Sequence, residues 1–247
     1  LGMGLCGLIR PVPPQQRLTP DLLPYILGMV ALDIAAPILL MLGLSRTAAA
    51  HVSLLNNFEI VATSVIALLL FHEKISRRVW AAIALIALAS GLLSFEGSES
   101  LRFSAGSLLA LGACLCWGLE NNCTRALSQK SAIQIVTVKG IFSGLGSLLV
   151  AFLSGEHFPE AGYALLAMLL GFLSYGLSIF LYVRAQSTLG AARTSAFYSV
   201  NPFLAAALCL LLLRQPLSPL YPFALALMLL GLALTVQETL VETPVSR

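Results

Sequence analysis

The stretch LLNNFEIVATSVIALLLFHEKISRR, residues 54–78, is almost wholly apolar, yet it carries Asn56, Asn57 and Glu59 in its first half. Asn56, Glu59 and Thr63 fall at i, i+3 and i+7, so a helix places them on one face. A carboxylate flanked by an amide and a hydroxyl can take up a proton or a cationic group and release it again. Similar residues recur inside other apolar runs. Asp33 lies midway along one, four residues before Pro37, and Glu120 and Asn121 lie in CWGLENNCTR. Lys139 lies a similar distance into the next run, so an ion pair with Glu120 is geometrically reasonable. Tyr198 precedes Asn201-Pro202 in a further run. Pro37 and Pro202 each withhold a backbone donor and free a carbonyl, which can line a site or form a hinge.

These residues sit in a chain that is 58% hydrophobic and 10% charged, with a mean hydropathy of +0.92. Soluble domains run at about 45–50% apolar and about 25% charged, so this is the composition of an all-α polytopic membrane protein. The five cysteines lie in or beside apolar runs without CxxC or Cys/His spacing, which suits small hydrophobes. His51, His72 and His157 stand at run ends without ligand spacing, so no metal and no cofactor is expected. No basic stripe speaks for nucleic acid. No Walker loop, Gly-x-Ser-x-Gly elbow or His-Glu-x-x-His is present, which argues against ATP-driven pumping and familiar hydrolases, so the chain is not read as an enzyme.

Apolar runs at about 24–43, 49–71, 79–95, 104–123, 132–153, 161–183, 194–213 and 220–238 are long enough to span a bilayer. They make eight spans plus an apolar stub at residues 1–9. Taking connections alternately, one set holds Arg10, Arg17, Lys74, Arg77, Arg78, Arg125, Lys130, Arg184, Arg193 and Arg247. The other holds Arg46, Arg102 and Arg214, with Lys139 left inside a span. This bias puts the first set, and the C-terminus, on the cytoplasmic side of the cytoplasmic (inner) membrane. Within the span 49–71, about twelve strongly apolar side chains favour insertion by roughly 5 kcal/mol, and an ionised acid near the centre opposes it by about 2.5–3.5 kcal/mol. Glu59 therefore either lines a wet path, as a carrier of protons or solute, or clamps helices by pairing with an Asn or Lys139.

Two stretches 142 positions apart match in pattern: AAHVSLLNNFEIVATSVIALLLFHEKIS (49–76) over AARTSAFYSVNPFLAAALCLLLLRQPLS (191–218). Both run from a small-residue start through a polar middle and a Leu run to a polar stop. The expectation is a duplication, with a first transmembrane repeat at 1–98, a second at 104–238 and a cytoplasmic tail at 239–247. The second copy holds five spans, so the intact plan has ten, and the first copy lacks one helix and most of another. An odd number of spans per copy inverts one copy relative to the other. That is the two inverted five-helix repeats of secondary transporters, whose site lies near the midplane.

The segments FHEKISRRVWAAIALIALASG and SAGSLLALGACLCWGLENNCTRAL, with Glu73 past a helix, Trp117-Gly118 opening the second copy and Pro202 within a late span, resemble the EamA-type members of the drug/metabolite transporter superfamily. The second copy departs by carrying Gln215 where Glu73 stands, and the first by carrying Ile60 where Pro202 stands. The resemblance implies movement of a metabolite or drug-like solute across the cytoplasmic membrane, commonly export, without ATP. The sequence thus reads as a secondary active transporter in the lipid bilayer, moving a small-molecule solute, with protons as the coupling partner and a homodimer as an open arrangement. Glu59 is the first choice for coupling or binding, and Asn56, Asn57, Asn201, Pro202, Tyr198, Glu120, Asn121, Asp33 and Lys139 are the other site candidates. The rival reading is a non-transporting membrane receptor or scaffold. The small residues Gly140, Gly144 and Gly146 are expected to serve close helix packing.

Overall fold

The computed structural model describes residues 13–46, 55, 56, 58–94, 105–198, 200, 204 and 221–242, and the regular elements among them are all helical. Lipid offers no hydrogen-bond partner to a bare peptide group, so an apolar run must satisfy its own backbone, and a helix does so within one segment. The helices are α1 (Leu23–Leu44), α2 (Phe58–Leu69), α3 (Arg77–Ser94), α4 (Ala105–Leu127) and α5 (Ala132–Leu153). There follow α6 (Ala161–Leu170), a π-helical segment (Gly171–Gly176), α7 (Leu177–Leu189), α8 (Ala191–Tyr198) and α9 (Tyr221–Glu242). Six of the expected runs coincide with helices. The runs 49–71 and 194–213 are represented by α2 and α8, and the rest of each lies largely outside the described residues. Among the described residues, Pro20–Leu44, Ala132–Leu153 and Ala161–Leu189 are long and apolar enough to cross a membrane by themselves, and Phe58–Leu69 and Pro222–Gln237 are shorter apolar helices. Phe142, Leu149 and Phe152 on α5 and Leu165 and Leu169 on α6 are exposed, a surface suited to hydrocarbon rather than water. The chain is a multi-pass helical membrane protein.

It divides into two compact units, residues 1–35 with 120–188, and residues 36–119 with 189–247, so each draws on both ends of the sequence. In the first unit, Ser131 caps α5 by accepting from the Gln134 N–H at 3.5 Å. The chain ahead of α1 is tied to the same cap: the Ser131 N–H donates to the Gln16 carbonyl at 2.8 Å, and the Leu18 N–H donates to Gln134 Oε1 at 3.0 Å. Gly28 lets α1 approach α4, since a Cβ there would lie 3.1 Å from Cys123 Sγ.

The second unit is built on two close approaches. Where α4 crosses α2, a Cβ on Gly118 would lie 2.9 Å from the Thr63 backbone nitrogen and 2.9 Å from Ala62 Cβ. Where α3 meets α9, a Cβ on Gly231 would lie 2.8 Å from Ile86 and 3.0 Å from the Ala82 carbonyl, while Ala89 clusters with Ala224 and Met228. The chain leaves α2 through His72, whose φ of 52° is left-handed, and the Glu73 N–H donates to the Ala67 carbonyl at 2.8 Å. Glu73 then reaches the start of α8, where its Oε2 accepts from the Ala191 N–H at 3.1 Å. A carboxylate on the positive end of a helix is favourable, and it fits here because Gly190, at φ +83°, has no side chain to displace it. By contrast, a Cβ on Gly140 or Gly144 meets no atom within 4 Å among the described residues, where the close packing expected of these two is therefore not seen. Gly146 does face a neighbour, Ile34.

Gly118→Ala is expected to lower stability by about 1–3 kcal/mol, as overpacking against backbone does, while Gly144→Ala leaves it unchanged or raises it through helix propensity. Thermal unfolding of the two purified variants in the same detergent tests the contrast, and a Gly118→Ala protein as stable as the parent would refute the tight α2–α4 crossing.

Candidate functional site

Inside the first unit, four elements converge on one ammonium group. Lys139, in the first half of α5, places Nζ 3.0 Å from Glu120 Oε1 on α4 and 3.2 Å from Asp33 Oδ1 on α1. The Tyr175 hydroxyl, from the π segment, donates to the same Asp33 oxygen at 2.9 Å, and its ring centre lies 5.9 Å from Nζ. Thr124, one turn beyond Glu120, donates its hydroxyl to Glu120 Oε1 at 2.5 Å. Asp33, Glu120 and Lys139 are 5%, 3% and 5% exposed. Such burial is tolerable for ions only when each charge is answered by an opposite charge and by hydrogen bonds, as here.

Local sequence explains how each member arrives. Pro37 has no N–H to offer the carbonyl four residues earlier, so α1 loses a backbone bond at Asp33, where the side chain enters the cluster. Glu120 and Thr124 are i and i+4 on α4, stacked on one face. Tyr175 is brought in by the π segment between Gly171 and Gly176, whose wider turn shifts the phase of the side chains beyond it. Next to the cluster, the buried Gln186 of α7 donates its amide to the Asn121 carbonyl at 2.9 Å, holding α7 on α4.

With both acids ionised and the lysine charged, the cluster carries one net negative charge. Two carboxylates thus face one ammonium. Beside it lies a cavity of about 530 Å³, bordered by Thr137, Lys139 and Gly140 of α5, Met168 of α6, and Phe172 and Tyr175 of the π segment. That volume suits a small organic molecule.

The expected Glu120–Lys139 pair is thus formed, and Asp33 joins it. Glu59, Asn56 and Tyr198 belong to the other unit. The Cys114 thiol of α4 donates to the Leu55 carbonyl at 3.3 Å and lies 4.0 Å from Asn56 Oδ1. Thr63 is fully buried where Gly118 crosses, Glu59 is half-buried on the same helix, and Asn56, outside α2, is half-buried too. Tyr198 ends α8 and is 47% exposed. Asn57, Asn201 and Pro202 lie outside the described residues. Tyr175, Thr124 and Gln186 were not anticipated. A tyrosine framed by glycines in GFLSYG, in the middle of a spanning run, was the available signal.

The first unit thus holds buried ions between apolar helices, beside a solute-sized cavity. The chain belongs to the EamA-like transporter family, whose model matches residues 1–95 and 104–237. It is 28% identical over 220 residues to an uncharacterized transporter of Methanothermobacter thermautotrophicus, across 85% of this chain, and it spans 63% of that relative's length. A crystal structure of a protein 16% identical in sequence shares the fold with a TM-score of 0.78, covering 98% of this chain and 85% of that one.

The excess of acid over base in the cluster predicts an asymmetry among variants. Lys139→Met leaves two buried carboxylates without their cation and is expected to lower stability by about 3–5 kcal/mol. Glu120→Gln leaves the balanced Asp33–Lys139 pair and should lower it by less. Equal losses in thermal unfolding of the two purified variants would show that the lysine is not the centre of the cluster.

Proposed function

We infer that the protein is a secondary active transporter that moves a small metabolite or drug-like solute outward across the cytoplasmic membrane, using a proton held by the buried acids. Its plan is two inverted five-helix repeats working by alternating access, with the C-terminus in the cytoplasm.

The observation that carries this reading is the hydrogen bond between Tyr175 and Asp33, which are 142 positions apart. That is the offset at which the two halves of the sequence match. Residues equivalent in two inverted copies can touch each other only on the axis that relates the copies, and in transporters of this plan that axis passes the midplane site. The α3–α9 contact supports the same relation. Ile86 and Ala89 correspond at this offset to Met228 and Gly231, and the contacts run crosswise: Ile86 with Gly231, and Ala89 with Met228. Reciprocal contacts of that form are the mark of a two-fold relation. The break in the family match at 96–103 falls where one copy should end and the other begin. The Lys139 cluster, rather than Glu59, becomes the first choice for coupling, and Glu59 and Asn56 stay as further candidates.

The test uses cells expressing the full gene at equal abundance as wild type, Glu120→Gln and Glu59→Gln, with the metabolites released into the medium compared. The released compound is then loaded into proteoliposomes under an imposed pH gradient. Wild-type flux should respond to the gradient, and Glu120→Gln should lower the gradient-driven flux by about tenfold or more, the effect of losing one contact of about 1.4 kcal/mol. Flux that ignores pH in the wild type would end the proton-coupled reading. Release equal to that of empty cells would end the transport assignment.

A further inference from the structure

We propose that the cavity beside Lys139 binds an amphipathic monoanion, its anionic group on the lysine and its apolar body among the aromatic and aliphatic walls, and that the anion enters together with one proton. This rests on the transport reading and names the solute class for the same site.

Geometry favours an anion over a cation. The groups of the cluster that border the cavity are Lys139 and Tyr175, while Asp33 and Glu120 are not among its lining residues. An incoming head group therefore meets the ammonium first. An ammonium has three N–H donors, and Asp33 and Glu120 engage two of them, which leaves one for a ligand. A carboxylate or similar oxyanion would take up the remaining ammonium donor. Beyond it the border is apolar, with Leu165, Met168, Leu169 and Phe172, and the volume of about 530 Å³ accommodates a ring and a short chain.

Charge balance then ties the anion to a proton. The titratable groups facing Lys139 are Asp33 from α1, Glu120 from α4 and Tyr175 from the π segment, and the Cys123 thiol of α4 stands near Glu120. With both carboxylates ionised the cluster holds one net negative charge, and a bound anion makes it two. Uptake of one proton from solvent by the acid pair restores it to one and loosens the hold of the acids on Lys139, so the ammonium can turn to the ligand. Anion and proton therefore stabilise each other, whereas an organic cation would compete with the proton.

The experiment uses the protein expressed from its full gene, in lipid nanodiscs, with three probes that differ only in head group: 4-phenylbutyrate, 4-phenylbutylamine and 4-phenylbutanol. Calorimetry in buffers of different ionisation enthalpy counts the protons taken up. The inference expects phenylbutyrate to bind most tightly, with uptake of about one proton and an affinity that weakens about tenfold per unit rise in pH. Tighter binding of the amine, equal binding of all three, binding of the anion without proton uptake, or binding of none would each overturn it. Lys139→Met should abolish the preference for the anion. Because that variant may lose its fold, Gly140→Leu provides a second arm. It fills the cavity where an added Cβ meets no neighbour and leaves the ion cluster intact. It should abolish phenylbutyrate binding while unfolding at the parent temperature. If it binds no probe yet releases metabolites as the wild type does, the cavity assignment falls and the transport reading stands. If wild type and variant both fail to release any compound, the transport reading falls with it.

Discussion

A charged group inside a bilayer must be answered locally, and in this protein Lys139 is the charge that makes the demand. A long aliphatic stem cannot carry its ammonium to water from the first half of α5 while it is held by acids from α1 and α4. The helices must therefore be arranged so that Asp33, Glu120 and Tyr175 reach one point. Each has a local device that makes this possible: a proline after Asp33, a hydroxyl one turn beyond Glu120, and a π segment under Tyr175. Removing any one would leave a buried polar group seeking a partner in hydrocarbon, where none is available. The same constraint that orders the helices thus brings two acids, a lysine and a tyrosine to one place.

The second unit obeys a different rule. Its order comes from missing side chains rather than from charge. Gly118, Gly190 and Gly231 each stand where a Cβ would collide, with backbone at Gly118, with a carboxylate at Gly190 and with an aliphatic chain and a carbonyl at Gly231. Close approach of backbones is how helices attract one another in a solvent as apolar as they are, since burial of apolar surface gives no advantage there. Glu73 adds a polar fastening at the edge of this unit, gripping the start of α8.

Much of this could be read in the sequence, and the limits have physical causes. The positions of helices followed from apolar runs because lipid forces helical backbone on any such run. Glu120 and Lys139 could be paired because both sit at similar depth on consecutive spans, a relation that spacing alone defines. Asp33 could be flagged but not partnered, since its contacts come from helices far along the chain. Tyr175 was missed because a helix read at its ordinary period does not show where a π segment turns its side chains, and the glycines around it were the one hint. Gly140 and Gly144, expected to pack closely, meet no neighbour among the described residues. A small-residue spacing marks a helix that can be approached closely, and says nothing about whether a neighbour comes. Gly118, by contrast, was noticed as part of a Trp-Gly pair, and its crossing with α2 supplies the reason for it.

The meeting of Asp33 with Tyr175 has one more consequence. In an assembly of two identical chains related by a two-fold axis, a residue on that axis must face its own copy. Two aspartates would repel, and two tyrosines would leave Lys139 short of an acid. On the inverted-repeat reading proposed above, joining the halves into a single chain frees the two positions to diverge, so one can accept a hydrogen bond and the other donate it. The acid then belongs to one half only, and on that reading the two sides of the membrane do not see the same site.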